Sequence, residues 1–407
     1  MNKLLRVVVT VCTTIPILGV AKTTGLLSVA AVQGDELLSF QRAGVGLYRY
    51  DNQHDGIMLS QALLSNRIEL TTNWSAHSVL NIQQDKDVKI GFSQAYAQYQ
   101  PLTKNHYKWT LKAGGFYPQM SLENPELGWT SPYNYSHSAI NTWLAEELRT
   151  VGVEASVKRL GNRVRSAHSF NWFAAVFKGN DPAGTLLAWR GFAIHQRQTT
   201  FNERVRFARP VSFATLQLSK QSDYVLPFEE VDGRFGYYLG MHWDYYKQSQ
   251  FRVYYYDNNG DPGALNVDTG QYAWDTRFLS VAWLYKFDKQ TRFIMQLLGG
   301  KTAMGQQRGI NNDFYSHFAL FSHQIKQHRF TVRYDYFTVR DKDDWQFDPN
   351  QSNGESVTAS WRYNLSEQWQ LGAEISWLKS DAAHRQPIGF NQVMSQQQLM
   401  LVAQWRF

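Results

Sequence analysis

The chain has a single cysteine, Cys12, and it falls within the first twenty residues. If that segment is a cleaved leader, disulfides, a thiolate nucleophile and a cysteine metal site are all excluded from the mature protein. Long hydrophobic runs are also missing. Past the N-terminus no stretch reaches the ~18 apolar residues of a spanning helix, and the mean hydropathy is −0.44. A helical multispan membrane protein is thereby excluded. A membrane β-barrel is not, because its strands need apolar residues only at alternate positions. Charged residues are sparse, at 18% of 407, whereas 14 Trp, 22 Tyr and 24 Phe are far too many for a disordered chain.

Met1 to Val20 begins with Lys3 and Arg6 and continues through a short apolar stretch from Val7, interrupted by Thr residues and Pro16. This describes a secretory signal peptide. A lipid anchor on Cys12 is disfavoured by the bulky Val11 before it and the short run ahead. Cleavage fits after Ala21 or near Ser28-Val29-Ala30. The later position is the expectation, giving a leader over 1–31 and one barrel domain over 32–407, with the first strand following Gln33-Gly34-Asp35.

Beyond Leu38 the dominant period is two, in segments of about ten residues separated by polar turns. Leu399, Leu401, Ala403, Trp405 and Phe407 form one face of the last segment. Phe330, Val332, Tyr334 and Tyr336 repeat the pattern, as do the odd-numbered residues of Tyr237 to Tyr245 and of Trp369 to Trp377. Aromatics mark the ends of these apolar faces, where a membrane barrel carries its interfacial girdles. Short turns (Lys247 to Gln250, Asp288 to Gln290, Lys326 to His328, Asn364 to Gln368) alternate with long loops, which assigns the short ones to the periplasmic side. The fold class expected is all-β, a transmembrane antiparallel β-barrel of 16 to 18 strands with an infolded loop. The count turns on Phe201 to Lys220, whose pattern is weak.

Met120 to Glu147 is long for a connection, contains Pro125, Pro132 and two Trp, and turns helical from Ser138. Folded into the lumen it would narrow a channel; capping the rim is the other placement. Its candidate pore-constriction residues are Glu123, Trp129, Tyr133, Trp143 and Glu146.

The formal charge of +7 raises the question of nucleic acid, but Lys3, Arg6 and Lys22 precede residue 32, so +4 remains after the later cut. Twelve Lys or Arg against three acids then crowd Leu148 to Lys220. A basic sector inside a lumen attracts anions, and Arg149, Arg159, Arg190 and Arg197 are the candidate anion-binding residues. Turn positions or lipopolysaccharide phosphates would equally occupy such side chains.

Asp257-Asn258-Asn259-Gly260-Asp261 has calcium-loop spacing but Pro262 where Gly is required. His317 and His323 would sit roughly 20 Å apart on a strand, too far to share a metal. No hydrolase elbow, zinc-protease helix or phosphate loop is present. Neither catalysis, cofactor, metal nor nucleic acid is expected.

The signal peptide, the alternating strands and a last strand ending on Phe407 resemble Gram-negative porins. Leu111-Lys112-Ala113-Gly114-Gly115-Phe116-Tyr117-Pro118, followed by Ser121-Leu122-Glu123, is similar to a strand-proline-Glu segment of the phosphate-selective porin (O and P) family. That resemblance implies a homotrimeric, 16-stranded channel in the cell outer membrane with a basic lumen. It also implies contact with lipid and lipopolysaccharide, and recognition of the Phe407 strand by the barrel-assembly machinery. The chain lacks a concentrated lysine ladder, so phosphate selectivity is not carried over. No plug domain precedes Leu38, which argues against a TonB-dependent transporter. The functional expectation is passive diffusion of small hydrophilic solutes with an anion lean. A barrel enzyme or surface adhesion scaffold with a closed lumen is the other class considered.

Overall fold

The computed structural model describes residues 21–407 apart from 86 and 104. The leader segment, with Cys12, lies outside the described residues. Among those described, sixteen antiparallel strands close into one barrel. They are β1 (Ala21–Gln33), β2 (Gly56–Glu69), β3 (Trp74–Gln84), β4 (Val88–Tyr99), β5 (Tyr107–Phe116), β6 (Thr150–Arg159), β7 (His168–Lys178) and β8 (Gly236–Tyr245). The second half contributes β9 (Ser249–Asp257), β10 (Asp275–Lys286), β11 (Thr291–Met304), β12 (Ile310–Ile325), β13 (His328–Asp341), β14 (Ser352–Asn364), β15 (Trp369–Ala382) and β16 (Val393–Arg406). Each pairs with its neighbours in sequence, and β1 pairs with β16 from Leu26 opposite Arg406 to Gln33 opposite Leu399.

Alternation decides which residues face lipid. Leu399 and Leu401 of β16 are exposed while Gln396, Gln398, Met400 and Val402 are buried. The same parity holds for Phe330, Val332 and Tyr334 on β13, and for Trp369, Leu371 and Trp377 on β15. The outward faces deduced from period two are those observed. Phe201 to Lys220 supplies no barrel strand, only Val205–Arg206 in a short ladder with Tyr224–Val225, which settles the count at sixteen.

The start of the barrel differs from expectation. Ala21–Gln33 is β1, and residues 34–55 form the loop that follows it, with Tyr48, Arg49 and Tyr50 fully buried. A cut at residue 31 would remove most of the strand that closes the barrel. Its lipid-facing residues (Leu27, Val29, Ala31) and several lumenal ones (Leu26, Ala30, Val32) are alike small or aliphatic, so in sequence the strand resembles a leader. His317 and His323 fall on one face of β12. They share the outward parity of Tyr315 and Phe321, while Phe314, Ser316, Phe318, Leu320 and Ser322 are the buried set.

Two long loops, residues 117–149 (L3) and 179–235 (L4), fold inward. L3 contains helix α1 (Ala139–Glu147) and L4 a single turn, α2 (Thr185–Trp189). Every residue of both helices is buried. The lumenal wall they meet is divided. From β7 to β12 it is rich in aromatics, with Phe173, Tyr254, Tyr256, Phe278, Phe314 and Phe318 inward among polar residues such as Ser280, Gln296 and Ser316. From β13 through β16 to β1 and β2 it is polar, with Arg333, Thr358, Glu374, Gln398, Ser28 and Ser60 inward.

Candidate functional site

α1 starts at Ser138, whose hydroxyl accepts from the Asn141 N–H at 3.3 Å, and the Ala139 N–H reaches Asp335 on the wall at 3.0 Å. A carboxylate at the first turn suits the helix dipole and fixes the axis against β13. The other face buries Trp143 against Phe192 of L4 and against Phe278 and Phe314 of the wall, at ring distances of 6.4, 5.3 and 5.3 Å. Ile140, Leu144 and Leu187 complete this cluster, so L3 and L4 share one apolar core with half of the barrel wall.

Three clusters of charge inside the lumen are paired by direct contact, whereas Arg252 and Arg362 meet only carbonyl oxygens and an amide. Arg190 grips Glu146 with two hydrogen bonds of 2.8 and 2.5 Å, and His195 Nε2 lies 3.1 Å from the same carboxylate. His195 Nδ1 accepts from the Arg197 N–H, so the neutral ring carries its proton on the side facing Glu146. Arg190 beside it holds the Glu146 carboxyl well below the usual carboxylate range, against the opposing effect of burial. Arg197 donates to Asp85 at 3.0 Å and pairs with Glu203. Asp85 also takes Arg49, and the two guanidinium groups together keep it ionised. Arg333 binds Glu123 at 2.9 Å and Asp335 at 2.7 Å, and donates to the carbonyl oxygens of Ser136 and His137.

The candidate constriction residues therefore lie in the lumen, but four of them tie the loop to its surroundings. Glu123 is consumed by Arg333, Asn141 and the Ser138 N–H. Glu146 is consumed by Arg190, and Trp143 is in the core. Tyr133, 2% exposed, lies under Arg292 and Arg329. Trp129 is half-buried, stacked on Tyr117 at 4.5 Å.

The candidate anion-binding residues hold no free guanidinium in the lumen. Arg190 is held by Glu146, and Arg197 by Asp85 and Glu203, which leaves only its Nη1 without a partner. Arg149 spends its donors on the carbonyl oxygens of Ser93, Ala145, Leu148 and Thr199, with its guanidinium 3.5 Å over Tyr117. Arg159 has the outward parity of β6, opposite to buried Glu154 and Ser156. The basic sector is real in sequence, but where it is buried its charge is paired with carboxylates at Arg190 and Arg197 and held by carbonyl oxygens at Arg149. Leu186 to Ile194, around Arg190, belong to α2 and the extended chain after it.

The groups that line open lumenal space were not singled out from sequence. A gap of about 20 Å³, room for about one water, lies between the L3 tip and the polar wall. Thr130, Ser131, Asn134 and His137 face it from L3, and Gln61, Arg362 and Gln404 from the wall. Gln and Ser on a strand carry no signal that separates pore lining from ordinary lumen filling. In the acidic loop at Asp257, Asp257 accepts from the Asn259 N–H, Asn258 binds the Trp274 carbonyl oxygen, and Asp261 pairs with Arg234.

No family model matches the sequence, and no curated protein is similar to it in sequence. Among solved structures the chain is similar to an anion-selective porin from Comamonas acidovorans, at 14% identity and TM-score 0.54, over 96% of this chain and 100% of that one. The outer membrane channel DcaP of Acinetobacter baumannii is matched at 10% identity and TM-score 0.51, over 96% and 97%. OmpT, an outer membrane protein of Vibrio cholerae described in a trimer form, is matched at 8% identity and TM-score 0.53, over 96% and 99%. The likeness to phosphate-selective porins rests on Leu111 to Glu123 alone. What the chain shares with these proteins is a fold, the closed membrane barrel of the porin type.

Proposed function

We propose that the protein is an outer-membrane porin of low conductance that lets small hydrophilic solutes diffuse passively. The observation that carries this reading is the combination of an outward apolar belt with two loops folded into the lumen, which leave polar space along one wall only. The gap admits water at rest, so a larger solute requires the L3 tip to move off that wall. None of Arg149, Arg159, Arg190 and Arg197 offers a free guanidinium to the lumen, so an anion lean would rest instead on Arg252, Arg292, Arg329 and Arg362, whose donors meet only carbonyl oxygens and neutral side chains among the described residues.

The mature chain is proposed to begin close to Ala21, which retains β1. Homotrimeric assembly, contact with lipid and lipopolysaccharide, and recognition of the Phe407 strand by the assembly machinery are parts of the same proposal. The test is planar-bilayer recording of the purified chain: small, salt-proportional steps are expected. A second reading, a barrel enzyme or adhesion scaffold, draws on how completely L3 and L4 fill the interior. It predicts that conductance stays absent even when L3 is loosened by Trp143→Ala.

A further inference from the structure

The gap beside the L3 tip is built from polar atoms that the protein itself leaves unsatisfied. Gln61 Nε2, Asn134 Oδ1, His137 Nδ1, Gln196 Oε1, Arg362 Nε and Gln404 Oε1 have no hydrogen-bond partner in the chain, and each residue lines this space. All six side chains are at least nine-tenths buried, Gln404 being the most exposed at 8%. Buried polar groups are costly unless something bonds to them, so six converging on one space mark it as a place for a hydrogen-bonding guest.

Their chemistry narrows the guest. The set mixes donors with acceptors, and whichever way each amide is turned its end presents one of each. No carboxylate lines the gap. Arg362 is its one ionised residue, with its two terminal nitrogens committed to Gln370 at 3.3 Å and the Asn134 carbonyl oxygen at 2.6 Å and only Nε left over. Glu374 lies near enough to act on Arg362 electrostatically, and its own oxygens accept from the Tyr135 N–H, the Ser136 N–H and the Ser360 hydroxyl. An anion would face the amide and imidazole acceptors without a proton to offer them, and a cation would face Arg362. A hydroxyl group donates once and accepts twice, which matches this lining on both counts.

We propose that the permeant solutes are neutral polyhydroxylated molecules of the sugar type, and that they cross off-axis, between the L3 tip and the β1–β2–β16 wall. This rests on the porin reading and assigns the solute class to it. The opposite side of the lumen is shut by the aromatic core around Trp143, so the polar side is where a path opens.

Liposome swelling with the purified full chain tests the proposal, using arabinose against gluconate, an anion of similar size. Arabinose is expected to enter faster by roughly threefold or more. A Gln61→Glu variant should add a cation preference in the reversal potential. A Ser131→Cys variant, whose introduced thiol is accompanied past the leader by no other cysteine, should lose most arabinose flux on treatment with a bulky thiol reagent. Gluconate equalling or outrunning arabinose would overturn the solute class while leaving a working porin. Failure of the reagent to label the Ser131→Cys variant, or unchanged flux after labelling, would overturn the off-axis path. No flux of any solute and no ion current, in the parent or in Trp143→Ala, would sink the porin reading and this proposal with it.

Discussion

Glu147, the last residue of α1, fastens L3 to L4. Its carboxylate accepts from the Trp143 indole at 2.5 Å, the Gly184 N–H at 3.0 Å and the Leu186 N–H at 2.9 Å, which places it at the start of α2. Burial outweighs these donors and pushes its carboxyl up to about 7. Between the ordinary value near 4.5 and 7, an undocked loop has released this proton while the docked one keeps it. Docking is therefore favoured most below 4.5 and weakens as pH rises through 7. His137, held down to about 3 by burial, and His195, also lowered, work the other way below about 6.5. The informative quantity is the difference between Glu147→Gln and the parent. It should favour the variant by ~3 kcal/mol more at pH 8 than at pH 4.5. Limited proteolysis of L4 reads local opening, and a pH-independent difference would refute the assignment. Arg190→Ala leaves Glu146 buried without its guanidinium, so loop docking should lose ~3–5 kcal/mol. The same proteolysis should show L4 cleaved much faster.

At the level of elements, α1 is held more by the wall than by its own sequence, since nine residues are marginal as an isolated helix. Trp143→Ala removes the centre of the apolar core, an expected loss of ~3–5 kcal/mol from packing. Single-channel steps should become larger and noisier, with the barrel itself intact by heat-modifiable gel mobility. Unchanged steps would mean that the core does not limit the passage. The strands from β8 to β16 were legible because lipid imposes one rule on every second residue, as at Leu399 and Leu401. L4 was not, for the same reason in reverse. Leu186 to Ile194 is, but for Arg190 and Gly191, apolar at both parities and His195 to Thr200 polar at both, because the segment contacts loop on one side and wall on the other. The aromatics at Phe278, Phe314 and Phe318 were equally unreadable as lumen, since an inward apolar residue in a barrel presupposes a plug. The Arg cluster was visible, but its partners are far away in sequence: Asp85 lies 112 residues before Arg197.

For the whole molecule, the consequential join is that between the first strand and the last. Gly25 and Phe407 exchange backbone hydrogen bonds at 2.8 and 3.2 Å, and the Phe407 ring occupies the space a side chain at Gly25 would need. A chain starting at residue 32 should fail to form a heat-modifiable barrel, whereas one starting at Ala21 should succeed. A mature mass matching the later cut would refute this. Gly25→Val should destabilise closure without altering any lumenal group. The same join sets a clock on assembly. The two edges that must meet lie at opposite ends of the chain, so the loop to be closed is nearly the whole protein and its closure is slow. Until Phe407 has left the export machinery, both edges are open strands able to pair with any neighbouring chain. The time between the emergence of Gly25 and that of Phe407 is thus the period in which the open edges are most exposed to pairing with another copy.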